Sequence, residues 1–145
     1  MVVKKIHIGS DHGGLELKEF LKTFLKVKDI EVDDLGTYTD ESVDYPQFGR
    51  KVGKAVLADG NPGVIICGTG IGISIAANRI KGVRAALCHC PEYAKLAREH
   101  NNANVLALGG RFIQKDDAIK TLTTFISTEY EGGRHDRRVN DIDNY

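Results

Sequence analysis

The 145-residue sequence has little cysteine: Cys67, Cys88 and Cys90 are an odd, sparse set. They do not read as the paired framework of a small secreted domain, and a reducing cytoplasm is the expected location. An excess of one charge is also missing. Twenty Lys and Arg balance twenty Asp and Glu, which argues against non-specific binding to nucleic acid or to an anionic membrane. No apolar run approaches the roughly 18–20 residues of a membrane span. Met1 to Asp11 is a charged start followed by a short apolar stretch. It shows no h-region and no small-residue cleavage site, so no secretory signal is expected. No linker, repeat or low-complexity segment interrupts the chain. One domain over residues 1–145 is therefore expected, with about 68–70% of its unfolded surface buried. What the chain does have is glycine, 16 residues in all, many directly after apolar runs.

The pattern alternates between strand and helix. Lys5–Ser10 reads as a strand. Leu17, Phe20, Leu21, Phe24 and Leu25 then follow helical spacing, with Lys18, Glu19, Lys22 and Lys26 on the other face. Ile30–Leu35 reads as a second strand, and Gly36 to Asp44 as a polar loop. Pro46 suits a first helical turn, and Phe48, Val52, Ala55 and Val56 make the buried stripe. After the Asn61-Pro62-Gly63 turn, Val64–Cys67 is a continuous apolar run, the mark of a strand covered on both faces. A helix is predicted from the glycine-rich turn at Gly68–Gly72 to about Ile80, and a fourth strand over Val83–Cys88. Pro91 opens the next helix, with Tyr93, Leu96, Ala97 and His100 on one face. Val105–Leu108 is a fifth strand. Asp116 and Asp117 mark a helix start, and Ala118, Ile119, Leu122, Phe125 and Ile126 are its stripe. Glu131-Gly132-Gly133 breaks it, and a last helix runs from Arg134 with Val139 and Ile142 apolar. The expected fold class is α/β: a three-layer, doubly wound, Rossmann-like five-stranded parallel sheet, helices on both faces, and a C-terminal helix. In such sheets ligands bind beyond the carboxyl ends of the strands, near a switch in strand order.

The residues at those ends carry the candidate chemistry. Cys67-Gly68-Thr69-Gly70-Ile71-Gly72-Ile73-Ser74 joins a buried strand to a helix N-terminus, where free N–H groups and the positive helix end suit an anion. A dinucleotide fingerprint would need glycine at Ile73, and a P-loop would need Gly-Lys-Ser/Thr. A plain tight turn is the bland alternative. Cys67, at the turn's mouth, is either a base or nucleophile activated by the helix end, or a small hydrophobe closing a strand. Cys88-His89-Cys90 lacks the second half of a zinc motif, and no metal is expected there. Asp11-His12-Gly13-Gly14 follows the first strand and suits proton transfer or phosphate contact, with Asp11 also a helix cap. His100, on the face shared with Ala97, reads first as a core histidine. Arg134 and Arg138 are four apart and suit a phosphate on one helical face; with Arg137 beside them, a solvated basic face is the alternative. Arg111, after the fifth strand, falls on the expected ligand edge.

Taken together, Ser10-Asp11-His12-Gly13, Asp44-Tyr45-Pro46, the segment from Cys67 to Asn78, Arg98-Glu99-His100-Asn101 and Gly132-Gly133-Arg134-His135 resemble the B-type ribose-5-phosphate isomerase family. The related galactose-6-phosphate isomerase subunits share that fold. The resemblance runs from roughly Lys5 to Ile142 and implies interconversion of ribose 5-phosphate and ribulose 5-phosphate without metal or cofactor. It implies Cys67 as the base between C1 and C2; relatives that lack this cysteine use a glutamate six positions later, where Ile73 stands here. By the same resemblance, the N–H groups of Gly68, Thr69, Gly70, Ile71 and Gly72, with the Thr69 hydroxyl, hold the enediolate. His100 opens the furanose ring with Asp11. Asn101 binds the sugar, and His12, Arg111, Arg134 and Arg138 hold the phosphate. The implied partners are a small phosphorylated sugar and a second copy in a homodimer with shared sites; pairing into a tetramer is left open. Two alternatives stand beside this: a galactose or allose 6-phosphate isomerase, and a non-catalytic sugar-phosphate or nucleotide sensor.

Geometry adds one expectation. Cys67 and Asp11 end strands, whereas His100 precedes the strand starting near Val105. A strand of about five residues spans roughly 16 Å. Unless the Asn101–Asn104 loop folds back, one chain cannot bring His100 to Cys67, and a two-fold dimer sharing each site resolves the conflict.

Overall fold

The computed structural model describes residues 2–145. Five parallel strands form one sheet: β1 (Lys5–Ser10), β2 (Glu31–Asp34), β3 (Gly63–Cys67), β4 (Ala85–Leu87) and β5 (Val105–Gly109). Their spatial order is β2-β1-β3-β5-β4. The chain winds outward from β1 to β2, then returns across β1 to β3. The gap between the ends of β1 and β3 is therefore the switch point of the sheet.

The two faces follow from residue alternation along each strand. Ile6, Ile8, Val64, Ile66, Leu106 and Leu108 pack with α1 (Leu15–Val27), α4 (Pro91–Asn101) and α5 (Lys115–Ser127). Ile65, Cys67, Val105 and Ala107 face α2 (Pro46–Asp59) and α3 (Ile71–Asn78). Burial on both faces explains why β3 and β5 read as unbroken apolar runs. The expected fold class is the one observed. Among the described residues no helix is long and apolar enough to cross a membrane.

Several local expectations need correction. Lys18 is not on a solvated face but fully buried. Its Nζ donates to Asp34 Oδ1 and to the Thr37 carbonyl, both at 2.6 Å. Pairing makes that burial tolerable. Burial works to raise the Asp34 pKa, but the bonds from Lys18, Lys22 and the Gly36 N–H outweigh it and hold the carboxyl below its ordinary value. The fourth strand covers only Ala85–Leu87, because it is an edge strand. Asn78 takes the place of a missing neighbour: its Oδ1 accepts from the Ala85 N–H and its Nδ2 donates to the Ala85 carbonyl. That side chain also ends α3 earlier than predicted. On α4 the buried positions are Ala94, Ala97 and Arg98, while Tyr93 and Leu96 are exposed. The last helix, α6 (Asp136–Asp143), starts two residues later than expected, after a 3-10 turn over Gly133–His135. Val139 is buried as expected, but Ile142 is exposed.

Candidate active site

β1 and β3 deliver their C-terminal residues to the switch point. After β1, the Asp11 Oδ1 accepts from the Gly14 N–H at 3.1 Å, capping a 3-10 turn over His12–Gly14. Asp11 is buried there, so cap and candidate acid are one residue. Gly14 is required by proximity: a Cβ would lie 2.5 Å from the Ile66 carbonyl oxygen. His12 Nδ1 accepts from the Val43 N–H at 3.1 Å. That bond places the ring proton of the neutral imidazole on Nε2, where it is a donor for a ligand. Val43 lies in the polar loop before α2, a contribution that no sequence pattern signals because a backbone group makes it.

After β3, the Gly70 N–H donates to Cys67 Sγ at 3.1 Å. Gly70 has φ +79°, and a Cβ there would meet Leu87 and the Leu108 carbonyl within 3 Å. The turn is thus pressed onto β5 and rigid. The Thr69 hydroxyl accepts from the Ile71 N–H at 3.1 Å, which leaves its own proton free to donate. Cys67 is buried, at the end of the strand and beside the first turn of α3. A negative sulfur, or an oxyanion held beside it, faces backbone donors and a positive helix end. Cys88 differs: burial pushes its thiol up to about 12, helped by the neighbouring Cys90. It is a core residue.

Arg111 joins the two loops. Its N–H donates to the Gly68 carbonyl at 3.0 Å. Its guanidinium lies so close over Gly68 and Gly13 that a Cβ at either would come within 3.3 Å of it. His12, Gly13, Gly110 and Arg111 line one open cavity of about 560 Å³. The carboxyl edge therefore brings together Asp11, His12, Gly68 to Gly72, Cys67, Thr69 and Arg111.

The remaining candidates lie elsewhere. The Asn101–Asn104 loop does not fold back: the Asn104 carbonyl accepts from the Gly63 N–H, at the amino end of β3. Asn102 closes α4 in the left-handed region at φ 47°. Arg98 pins this corner, donating to the Ala103 carbonyl at 2.6 Å, the Asn102 side chain at 3.0 Å and the Thr128 carbonyl at 3.1 Å. His100 is no core histidine, since 38% of its side chain is exposed. It stacks on His135, with ring centroids 4.4 Å apart. Arg134 belongs to the 3-10 turn before α6, so it does not share a regular helical face with Arg138. Both are exposed, and Arg138 Nη1 donates to the Arg134 carbonyl at 2.9 Å. The far end of α6 is tied to the same corner by Arg84 and Asp143. His100, Asn101, Arg134 and Arg138 thus gather at the amino edge, while Cys67 pairs in register with Gly109 at the carboxyl edge. Glu131 stands between His100 and His135. The sequence marks it only as part of a helix break, and its spacing of four from His135 is the signal that could find it.

The chain is similar to known proteins over nearly its whole length. The profile of the ribose/galactose isomerase family matches residues 6–142. The chain is 43% identical to the ribose-5-phosphate isomerase B of Escherichia coli strain K12, over 97% of this chain and 95% of the relative. It superimposes on a ribose 5-phosphate isomerase from Thermotoga maritima with TM-score 0.95 and 53% identity, over 97% of this chain and 98% of that one. A Mycoplasma genitalium ribose-5-phosphate isomerase B with bound ribulose-5-phosphate matches with TM-score 0.92 and 46% identity, over 97% and 95%.

Proposed function

The chain belongs to the ribose/galactose isomerase family, and we infer from that membership and from its two clusters that it interconverts ribose 5-phosphate and ribulose 5-phosphate. Cys67 is the base. It takes the C2 proton of the open-chain aldose and returns it to C1, and the enediolate oxygens are held by N–H groups of Gly68 to Gly72 and by the Thr69 hydroxyl. Aiming fixed donors at charge that develops during reaction is an effective use of a helix N-terminus. His100, with Asp11, opens the sugar ring, and Asn101 binds the sugar. His12, Arg111, Arg134 and Arg138 hold the phosphate, whose remote binding orients the reacting carbons.

The observation that carries this reading is the division of the matched residues between opposite edges of one sheet. A site needing both clusters is complete only when a second copy supplies one of them. A two-fold dimer does so reciprocally. The β4 edge is the face for it: Ile71 and Ile75 on α3 and Tyr93 and Leu96 on α4 flank that edge and are 45–58% exposed. Apolar surface of that kind marks an interface. The protein is placed in the cytoplasm, where free Cys67, Cys88 and Cys90 stay reduced.

The test is a coupled assay with ribose 5-phosphate, run beside exchange of the substrate C2 proton with solvent deuterium. Turnover together with exchange is expected. Binding without exchange would indicate a sensor, and a clear preference for hexose 6-phosphates in competition would move the substrate.

A further inference from the structure

His100, Glu131 and His135 form the one trio of metal-type ligands among the described residues, with all three donor atoms within 4.8 Å of one another. Glu131 Oε1 lies 3.3 Å from His135 Nε2 and 3.8 Å from His100 Nε2. Three ligands at zinc's usual bond lengths, in tetrahedral array, stand about 3.4 Å apart. The trio can therefore close on an ion, with the exposed Glu131 and the partly exposed His100 moving and the two stacked rings tilting toward it.

A second observation points the same way. His135 is only 8% exposed, and its Nε2 is buried without a hydrogen-bond partner, although the Glu131 carboxylate is close by. A buried ring nitrogen without a hydrogen bond is a group that a bound ligand would satisfy. The fold builds this arrangement deliberately. Gly132 and Gly133 both have positive φ, at 68° and 58°, and fold the chain so that Glu131 and His135 face each other outside any regular helix. The Glu131 N–H donates to the Glu99 carbonyl at 3.1 Å, which anchors the turn beside His100.

We propose that this trio binds one first-row divalent transition ion of borderline softness, with zinc the leading candidate, and that the ion inhibits the isomerase by occupying His100. Two imidazoles and one carboxylate suit such an ion and leave a position open for water. The inhibitory consequence rests on the part given to His100 above; the binding does not.

The experiment titrates the intact protein with zinc by calorimetry and with cobalt(II) by visible spectroscopy. One ion per chain is expected, with cobalt bands of nitrogen and oxygen ligands and no sulfur charge-transfer band. Glu131→Gln and His135→Gln should each weaken binding by more than the roughly 10–100-fold that follows loss of an outer-shell partner. Cys67→Ala and Cys90→Ser should leave binding unchanged. Glu131 is exposed, so its variant reports even if His135→Gln misfolds. A sulfur band, or affinity unaltered in Glu131→Gln, overturns the site, as does the absence of saturable binding. Zinc should abolish turnover of ribose 5-phosphate, and a chelator should restore it. Residue-dependent binding without inhibition leaves the site standing and overturns the role of His100.

Discussion

The two edges of the sheet solve different problems. At the carboxyl edge the working groups are mostly backbone: N–H donors in a turn locked by glycine contacts against β5, a thiol bonded to one of them, and an imidazole whose tautomer is set by another. At the amino edge they are side chains. Arg134 and Arg138 are exposed, one bonded to the other's backbone, and His100 is half-exposed against His135. A backbone site is preorganised when the chain folds, and it tolerates no Cβ in its close contacts. Exposed arginines keep their rotamer freedom until a phosphate or a partner copy orders them. On the proposed reading the rigid edge carries the C2 proton transfer and part of the phosphate clamp, through His12 and Arg111, while the adaptable edge supplies ring opening by His100 and the remaining phosphate contacts.

The sharpest way to break that comparison is at Cys67. Cys67→Ala should lower kcat by about 10²–10⁴-fold, the usual loss for a proton-transfer group. KM should change little, because the phosphate contacts remain. Cys88→Ala, removing a buried thiol of the same sheet, should keep near wild-type kcat. A Cys67→Ala enzyme retaining more than about a tenth of wild-type kcat would remove the thiol from the mechanism.

Complementation tests whether the edges meet across two copies. Cys67→Ala and His100→Ala homodimers should each be nearly inactive. Random redistribution makes about half the dimers hybrids, each with one intact site, so activity should recover to roughly a quarter of wild type. Proven hybrids without recovery would place both residues in one chain's site.

A smaller effect separates capture from charge. Arg138→Ala should cost about 1.5–3 kcal/mol in kcat/KM for phosphorylated substrate, the range for hydrogen bonds to charged groups. Arg137→Ala should be nearly silent. Equal behaviour of the two would reduce the segment to a solvated basic face.

The smallest effect concerns scaffold alone. At the amino edge His7 is buried, its Nδ1 2.6 Å from Asp33 and its Nε2 2.9 Å from Asp59. The bond from His7 holds the Asp59 carboxyl far below its ordinary value, outweighing the opposing effect of burial. A carboxyl depressed by folding stabilises the fold above its unfolded value of about 3.9 and loses that contribution as pH falls below it. Asp59→Asn should therefore flatten the fall in melting temperature between about pH 5 and pH 2 while leaving kcat at neutral pH unchanged. A parallel shift at all pH values would contradict the assignment.

The sequence of strands and helices and the main buried stripes were legible where periodicity is strong, as in Val64–Cys67 and the α5 stripe, whereas strand order and register came only from the structure. Errors cluster where a side chain's neighbours come from distant segments. Lys18 looks solvated by spacing, yet its partners arrive from elsewhere in the chain, Asp34 from the end of β2 and Thr37 from the loop after it. Tyr93 and Leu96 look like core by hydrophobicity, yet they face away from the sheet beside an edge strand. The site was legible as a set of residues but not as a shape. Arg134 sits on a turn because two positive-φ glycines delay α6, a geometry that spacing alone does not reveal. Glu131 reads only as part of a helix break because the side chains it meets, His100 and His135, converge on it only in the fold.

Sequence alone determined the layered fold class and the chemistry at the strand ends, since period and residue type are local properties of the chain. It also set the length of the strand between Cys67 and His100, because a strand's length is set by its residue count; that the Asn101–Asn104 loop does not fold back, leaving the two at opposite edges, was decided by the tertiary structure. Only the tertiary structure decided how those ends are held. The tautomer of His12, the pressing of Gly70 onto β5 and the meeting of His100 with Glu131 and His135 each join segments distant in sequence. Such contacts exist only once the sheet has brought those segments together.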